Sequence, residues 1–173
     1  DLPDIGYSTD IDTVMASSYQ VKKQLQQIVK IEQPITNTLL YKRILRIWNL
    51  TRVTTRLQVF IDNLLEDAYK DPLSGDTIIY WEDKEKAKDC DFYRINSKRD
   101  ILDIPILEVM SAARYAIEQQ ISMPTEDLKR LTSQLLGFSR KGNNLDMVTE
   151  HTIQLLIDKG IFSHANGMVS MNN

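Results

Sequence analysis

The sequence predicts a mainly helical α+β fold in which one small domain occurs twice. The first observation is a repeat at a constant offset of 88 positions, which carries Arg52 onto Arg140 and Leu57 onto Leu145. The second is that apolar residues in each copy follow the 3.6-residue period of amphipathic helices. The third is that each copy ends with two β-prone runs around turn-forming residues, which indicates a hairpin. A repeat of this length favours duplicated domains over a solenoid.

The first copy opens with helical residues and a short strand. Asp10 is suited to cap a first helix, and the helical period continues over residues 21–29. Pro34 ends that pattern because it cannot donate the next backbone hydrogen bond. Residues 35–36 are then predicted to form a short strand.

Two more helices and a hairpin complete the first copy. Thr36 or Asn37 is predicted to cap the second helix, and Thr51 the third. The third helix carries its apolar residues on one face over 57–65. Residues 68–81 contain two β-prone runs around an Asp-Pro-Leu-Ser-Gly turn, which predicts a hairpin with a longer loop.

The second copy repeats this order. Its predicted boundaries are Pro105 at the start of the first helix, a strand over 121–123, Thr125 at the cap of the second helix, Gly137 at its end, Ser139 at the start of the third helix and Gly160 at its end. Asn166-Gly167 between two β-prone runs is a strong signal for a tight hairpin.

The order helix, strand, helix, helix, hairpin is typical of a winged helix, so the sequence predicts tandem winged-helix domains. The predicted domains are residues 1–16 as an N-terminal linker or helix extension, 17–82 as winged-helix domain 1, 83–103 as a charged linker, and 104–173 as winged-helix domain 2.

Composition excludes several classes of protein. No apolar run approaches the roughly 20 residues of a membrane span, and the acidic first ten residues are unlike a signal peptide. The single cysteine, Cys90, rules out an internal disulfide framework and predicts a cytoplasmic location. A first residue other than Met indicates a segment of a larger polypeptide, although tag removal gives the same result.

The net charge of −3 hides an uneven distribution of charge. No acid lies between Leu40 and Leu57, where several Lys and Arg residues occur, and a similar basic run recurs in the second copy. Acids collect in the connection between the copies. Two basic patches separated by an acidic connection favour local contact with a polyanion.

These patches supply the candidate DNA-binding residues. Arg and Thr at a helix N-terminus bind phosphate oxygens together with free backbone amides, and Asn or Arg pairs with base edges. The predicted nucleic-acid-binding residues are Lys42, Arg46, Thr51, Arg52, Thr55 and Arg56 in the first copy, and Ser139, Arg140, Lys141, Asn143 and Asn144 in the second. The alternative is that these side chains form solvated helix faces, with Arg52 and Arg140 bracing the turn.

The predicted hairpins are poor in basic residues, which is evidence against a strong contact between the hairpins and DNA. Lys70 is the only base in the first hairpin, beside Asp71 and Asp76, and the second offers only His164. Because phosphate neutralisation supplies much of the affinity for DNA, a wing that binds the backbone is usually more basic.

The second half also resembles a known family. Residues 104–112 read Ile-Pro-x-x-Glu-Val-x-x-Ala, residues 136–142 read Leu-Gly-Phe-x-Arg-x-Gly, and Phe92-Tyr93-Arg94 precede them. These motifs resemble a domain of unknown function near the C-terminal end of large bacterial superfamily one helicases fused to a Vsr-like endonuclease. The resemblance implies an accessory module of a DNA-processing or defence enzyme. The first copy departs from the motif, with Asn49 at the position of Gly137.

No catalytic or cofactor chemistry is predicted. His151 and His164 have no neighbouring Cys or acid at metal-ligand spacing, and Cys90 has no His nearby in sequence. We therefore expect no enzyme activity, no metal and no cofactor. The predicted partners are DNA and other domains of a helicase–nuclease polypeptide, without a membrane. The alternative function is a protein–protein scaffold, which the fold alone does not exclude.

Overall fold

A computed structural model describes residues 10–73, 75–88, 90–95 and 98–172 of the chain. The chain divides into two compact units, unit 1 (Asp1–Asp89) and unit 2 (Cys90–Asn173). Both units are mainly helical and each carries a small three-stranded antiparallel sheet. The predicted α+β class is therefore confirmed.

Unit 1 has the predicted order of elements. These are α1 (Ile11–Ala16), α2 (Ser18–Glu32), β1 (Ile35–Thr36), α3 (Asn37–Ile47), α4 (Thr55–Leu64), β2 (Tyr69–Lys70), β3 (Ile79–Trp81) and α5 (Lys84–Lys88). The strand order is β1-β3-β2, with Ile35 opposite Tyr80 and Tyr69 opposite Trp81. The predicted caps Asp10 and Thr36 are correct, because their side chains accept backbone hydrogen bonds at the starts of α1 and α3.

Unit 2 repeats this order after a short 3-10 helix at Ile101–Asp103. Its elements are α6 (Ile106–Glu118), β4 (Met123–Pro124), α7 (Thr125–Leu135), α8 (Asn143–Asp158), β5 (Phe162–Ala165) and β6 (Met168–Met171). The strand order is β4-β6-β5, and the β5–β6 hairpin turns at Asn166 and Gly167, both with positive φ. Thr125 is the first residue of α7 rather than its cap, since Pro124 holds that position.

The offset of 88 positions is present in the elements themselves. It relates the first residues of α2 and α6, of β1 and β4, of α3 and α7, and of α4 and α8. The offset is lost at the hairpins because α8 has 16 residues whereas α4 has 10. The two units therefore share one arrangement of three helices and a first strand, and differ in the length of the third helix.

Both tryptophans are core residues of unit 1. Trp48 is 3% exposed and its indole N–H donates to Gln24 Oε1 (2.8 Å). Trp81 is 2% exposed and donates to Asp71 Oδ2 (2.9 Å). Each indole therefore buries its ring in unit 1 and still satisfies its one donor with a buried polar side chain.

The segment 83–103, predicted as a charged linker, contains residues that pack into the units. It includes α5 in unit 1, and in unit 2 it includes Ile101, which is 5% exposed and belongs to the core with Val109 and Leu136. The segment is thus divided between the two units.

A buried ion pair fixes the unit 2 part of this segment. Glu108 on α6 is fully buried and binds the side chains of Arg94 and Arg99, with Arg99 Nη2 2.7 Å from Glu108 Oε2. The backbone N–H of Arg94 also donates to Glu108 Oε2 (3.1 Å). Burial alone would raise the pKa of Glu108, but the hydrogen bonds from Arg99 and Arg94 outweigh it, so this pKa lies below its usual value.

We predict that Glu108→Gln destabilises unit 2 by about 3 kcal/mol, because the buried guanidinium of Arg99 would lose its ion pair with the Glu108 carboxylate. For a domain of this size that corresponds to a fall in melting temperature of at least about 10 °C. Thermal denaturation followed by circular dichroism measures the melting temperature. Glu85→Gln is the matched control, since Glu85 pairs with Lys88 in an exposed position. Equal shifts for the two variants would contradict the prediction.

Candidate nucleic-acid interface

The turn between the second and third helices has the same geometry in both units. In unit 1, Asn49 adopts the left-handed conformation (φ 49°), and the N–H of Leu50 donates to the carbonyl of Leu45 (2.9 Å). In unit 2, Gly137 takes this conformation (φ 92°), and the corresponding bond is 3.0 Å long. Gly and Asn adopt left-handed φ most readily, so the same turn forms with either residue. The prediction that Gly137 ends its helix is confirmed.

The predicted starts of the third helices are wrong in both units. The cap of α4 is Thr54, whose Oγ1 accepts from the N–H of Leu57 (3.2 Å), and not Thr51. Likewise α8 begins after Gly142 and not at Ser139. The physical reason is the left-handed turn, after which several residues remain non-helical before the chain reaches helical dihedral angles.

This correction moves part of the predicted site from the helices into loops. The loops before the third helices hold Thr51, Arg52, Ser139, Arg140 and Lys141, and the first turns of those helices hold Thr55, Arg56, Asn143 and Asn144. All nine side chains belong to exposed residues. The prediction that Arg52 and Arg56 share one helix is therefore wrong.

Four exposed cations lie on α3, on α4 and in the loop between them. We call them the unit 1 basic surface: Lys42, Arg46, Arg52 and Arg56. Lys42 and Arg46 are four positions apart on α3 and so share a face of that helix. Over the described ranges, Arg46 and Arg52 take part in no ion pair, whereas Arg56 Nη2 lies 2.7 Å from Asp12 Oδ1.

Few acids offset this surface. Between Asp12 and Asp62 the sequence has eight Lys and Arg residues and one acid, Glu32. Arg43 already engages that acid, with Arg43 Nε 2.8 Å from Glu32 Oε1 and Nη2 2.8 Å from Oε2. The α3–α4 region of unit 1 therefore keeps a positive charge.

A polar contact that the sequence does not predict joins α3 to α4. The hydroxyl of Tyr41 on α3 donates to the carboxylate of Asp62 on α4 (2.7 Å to Oδ1), and Tyr80 on β3 also donates to Oδ1 (3.4 Å). Burial, together with the charge of Asp62, raises the pKa of both tyrosines above the usual value. We call the contact between positions 41 and 62 the interhelical latch of unit 1.

Unit 2 has its own interhelical latch at the corresponding positions, 129 and 150. Lys129 on α7 is 7% exposed, and its Nζ lies 2.7 Å from Asp146 and 3.6 Å from Glu150, both on α8. Glu126 accepts a further hydrogen bond from Nζ (3.3 Å). Burial alone would lower the pKa of Lys129, but the bonds to Asp146 and Glu126 outweigh it and raise this pKa.

Unit 2 consequently has acids among its candidate DNA-binding residues. Arg140 and Lys141 are exposed and form no ion pair with other described residues, but both line a cleft of about 310 Å³ that also contains Asp127 and Asp146. Arg130, beside the latch, pairs with Asp127 (2.7 Å). Cations and carboxylates are therefore mixed at this surface, unlike the unit 1 basic surface.

The hairpins carry few bases, as the sequence indicates. In unit 1, Asp71 is buried and binds the N–H of Leu73 (2.9 Å) as well as Trp81, so this acid shapes the loop. The exposed cation there is Lys70. In unit 2 the hairpin presents His164, which is exposed. Neither hairpin adds substantially to the positive charge.

The described part of the chain has neither a metal-binding cluster nor a membrane-spanning helix. No three His, Cys, Asp or Glu side chains there are grouped so that they could hold a metal ion. Nor does that part contain a helix whose length and apolar character would let it span a bilayer.

One comparison with known proteins gives a match. A family described as a protein of unknown function, DUF3320, matches residues 16–59. The matched segment covers α2, β1, α3 and the first residues of α4, so it contains the unit 1 basic surface. The prediction of a domain of unknown function is confirmed for this segment, although the motifs that suggested it lie in unit 2. No curated protein and no solved structure matches the chain.

We predict that unit 1 loses stability in alkaline solution through its latch. The pKa of Tyr41 is raised in the folded state. The contribution of Tyr41 to the free energy of unfolding is therefore complete below about pH 10 and falls as the pH rises above that value. Tyr41→Phe should lower the free energy of unfolding by about 1–2 kcal/mol at neutral pH and weaken the alkaline loss. Urea unfolding across this pH range measures both.

The matched control is Tyr19→Phe, because Tyr19 is 72% exposed. It should unfold like the wild-type protein at every pH. An alkaline loss of equal size in wild type and Tyr41→Phe would show that the latch does not cause it.

Proposed function

We propose that each unit is a winged helix and that unit 1 binds duplex DNA through its α3–α4 surface. The order of elements and the sheet orders β1-β3-β2 and β4-β6-β5 support the winged-helix assignment, since the first strand pairs with the second strand of the hairpin. In this proposal α3 and α4 form the helix-turn-helix, and α4 enters a groove.

The observation that carries the DNA proposal is the unit 1 basic surface. Four exposed cations lie on or between two adjoining helices, and Glu32, the one acid between Asp12 and Asp62, is engaged by Arg43. Thr55 and Arg56 also stand at the N-terminus of α4, where backbone N–H groups and the helix dipole favour phosphate. Thr51 and Thr55 add hydroxyl donors. This combination suits contacts to the phosphate backbone.

Unit 2 is assigned a smaller share of the binding. Arg140, Lys141, Asn143 and Asn144 remain its proposed contacts, but acids occupy the same region because Lys129 requires partners. Asp146 and Glu150 lie on α8 and would face phosphate with like charge. The expectation that the third helix of each unit engages DNA is therefore kept in a proposal in which unit 1 dominates.

In its proposed cellular role, the chain is a non-catalytic accessory module of a helicase–nuclease protein that functions in DNA processing or in defence. The proposed location is the cytoplasm. The match to a family of unknown function and the motifs around Pro105 and Gly137 support the module assignment. The single cysteine supports the cytoplasmic location. No group in the described residues suggests a reaction of its own.

A second function is favoured by a different observation. Unit 2 exposes several large apolar side chains: Phe92 (41%), Ile95 (60%), Tyr115 (47%) and Ile121 (96%). Exposed aromatic residues often anchor protein interfaces. A scaffold that positions neighbouring domains without touching nucleic acid is therefore the alternative.

We predict that the protein binds random-sequence duplex DNA with a strong dependence on salt. Four phosphate contacts would give a slope of log K against log salt between about −2 and −4. Arg52→Glu with Arg56→Glu should weaken binding at least about tenfold near 50 mM salt. Fluorescence anisotropy across a salt series measures affinity and slope together.

Two control pairs make the same change of charge elsewhere. Lys84→Glu with Lys88→Glu alters α5, and Arg140→Glu with Lys141→Glu alters unit 2. The α5 pair should change the affinity for DNA little. The unit 2 pair should lower this affinity by less than the unit 1 pair, Arg52→Glu with Arg56→Glu, does. Equal losses in all three pairs, or no binding by micromolar wild-type protein at low salt, would favour the scaffold.

A further inference from the structure

We propose that Asp12 on α1 acts as an internal competitor for phosphate, which holds Arg56 in the free protein and lowers the affinity of unit 1 for DNA. This inference rests on the proposed function and concerns the regulation of the same surface. It starts from the contact between Arg56 Nη2 and Asp12 Oδ1, which are 2.7 Å apart.

The fold of unit 1 sets the position of Asp12. The side chain of Asp10 caps α1 by accepting the N–H of Asp12 (3.1 Å). Val14 is fully buried in the unit 1 core, and Ile11 packs against that core. The first turn of α1 is thus anchored on both sides of Asp12, so the carboxylate is held where Arg56 reaches it.

A carboxylate and a phosphate bind guanidinium through the same N–H groups, so Arg56 cannot use those groups for both. The pair is also easy to exchange, because the side chains of Arg56 and Asp12 are 57% and 65% exposed. The position of Arg56 in its helix also favours an anion beside it. It lies in the first turn of α4, where the helix dipole disfavours a cation.

Unit 2 also has an acid at the corresponding position, but asparagine stands where the third helix of unit 1 has Arg56. Asp100 occupies the position 88 residues after Asp12, and it lines a surface depression with Asn143 and Asn144 at the start of α8. Asn144 corresponds to Arg56. An acid from the segment before the first long helix therefore lies near the start of the third helix in both units. Among the described residues, it pairs with a cation of that helix in unit 1, whereas in unit 2 Arg140 lines the same depression as Asp100 without an ion pair between them.

The acid also lies outside the segment that matches the family of unknown function. That match begins at residue 16, whereas α1 spans Ile11–Ala16. Arg56 lies inside the match. The competing carboxylate is thus supplied by an element that precedes nearly all of the matched segment.

The test compares DNA binding by wild type, Asp12→Asn and Asp12→Glu across a salt series. Asp12→Asn should bind about two- to fivefold more tightly at low salt, which is the range of a surface ion pair. Its slope of log K against log salt should be steeper by up to about 0.9, since Arg56 would no longer remain partly paired with Asp12 in the complex and would neutralise its phosphate fully. Asp12→Glu should behave like wild type. Asp67→Asn is the matched control, because Asp67 pairs with Lys22 instead.

A double-mutant cycle separates competition at Arg56 from a general effect of charge. In an Arg56→Gln background, Asp12→Asn should no longer change affinity or slope. If the gain persists there, or if Asp67→Asn gives the same gain, competition at Arg56 is excluded even though DNA binding stands.

The remaining outcomes concern both proposals. If wild type fails to bind and Asp12→Asn binds, the competition is stronger than expected and the inference is supported. If neither binds at low salt, the DNA proposal fails and this inference fails with it.

Discussion

The interhelical latch is the constraint on which the α3–α4 surface of unit 1 depends. Hydrogen bonds from Tyr41 and Tyr80 converge on Asp62, so one carboxylate connects α3, α4 and β3. The apolar core holds these elements together, but apolar packing alone is non-directional. A hydrogen bond to a charged acceptor is short and directional, and the low dielectric around it strengthens it. The latch therefore fixes how the exposed faces of the two helices stand relative to each other.

The chemistry of the latch also decides the charge of the exposed surface. In unit 1 a neutral tyrosine meets one acid, so the latch adds no cation that would require further carboxylates. In unit 2 the corresponding residue is Lys129, whose buried amine is stable only beside several acids. One of those acids, Asp146, lines the same cleft as Arg140 and Lys141. One substitution at an equivalent position thus accounts for much of the electrostatic difference between the units.

Local signals in the sequence predicted most of the fold. The helical period, Pro34, the Asn-Gly turn and the constant offset placed nearly every element, because each depends on residues that are close in the chain. The starts of α4 and α8 were missed because Thr51 and Thr54 are equally good caps, and the left-handed turn at Asn49 decides between them. The latch and the Arg56–Asp12 contact were also missed. Each joins polar side chains that are far apart in the sequence, and the spacing of apolar residues gives no indication of such pairs.

The total charge of the chain is a poor guide to what unit 1 binds. Screening limits the influence of exposed charges to about 10 Å near 0.1 M salt, so a bound polyanion responds mainly to groups at its own contact surface. A net charge of −3 nevertheless removes the long-range attraction that speeds the encounter of strongly basic proteins with nucleic acid. Binding at the unit 1 basic surface would therefore depend on short-range contacts that slow dissociation. A single carboxylate placed at that surface has more effect on such binding than the many acids between the two copies, since it competes for the same guanidinium as the phosphate.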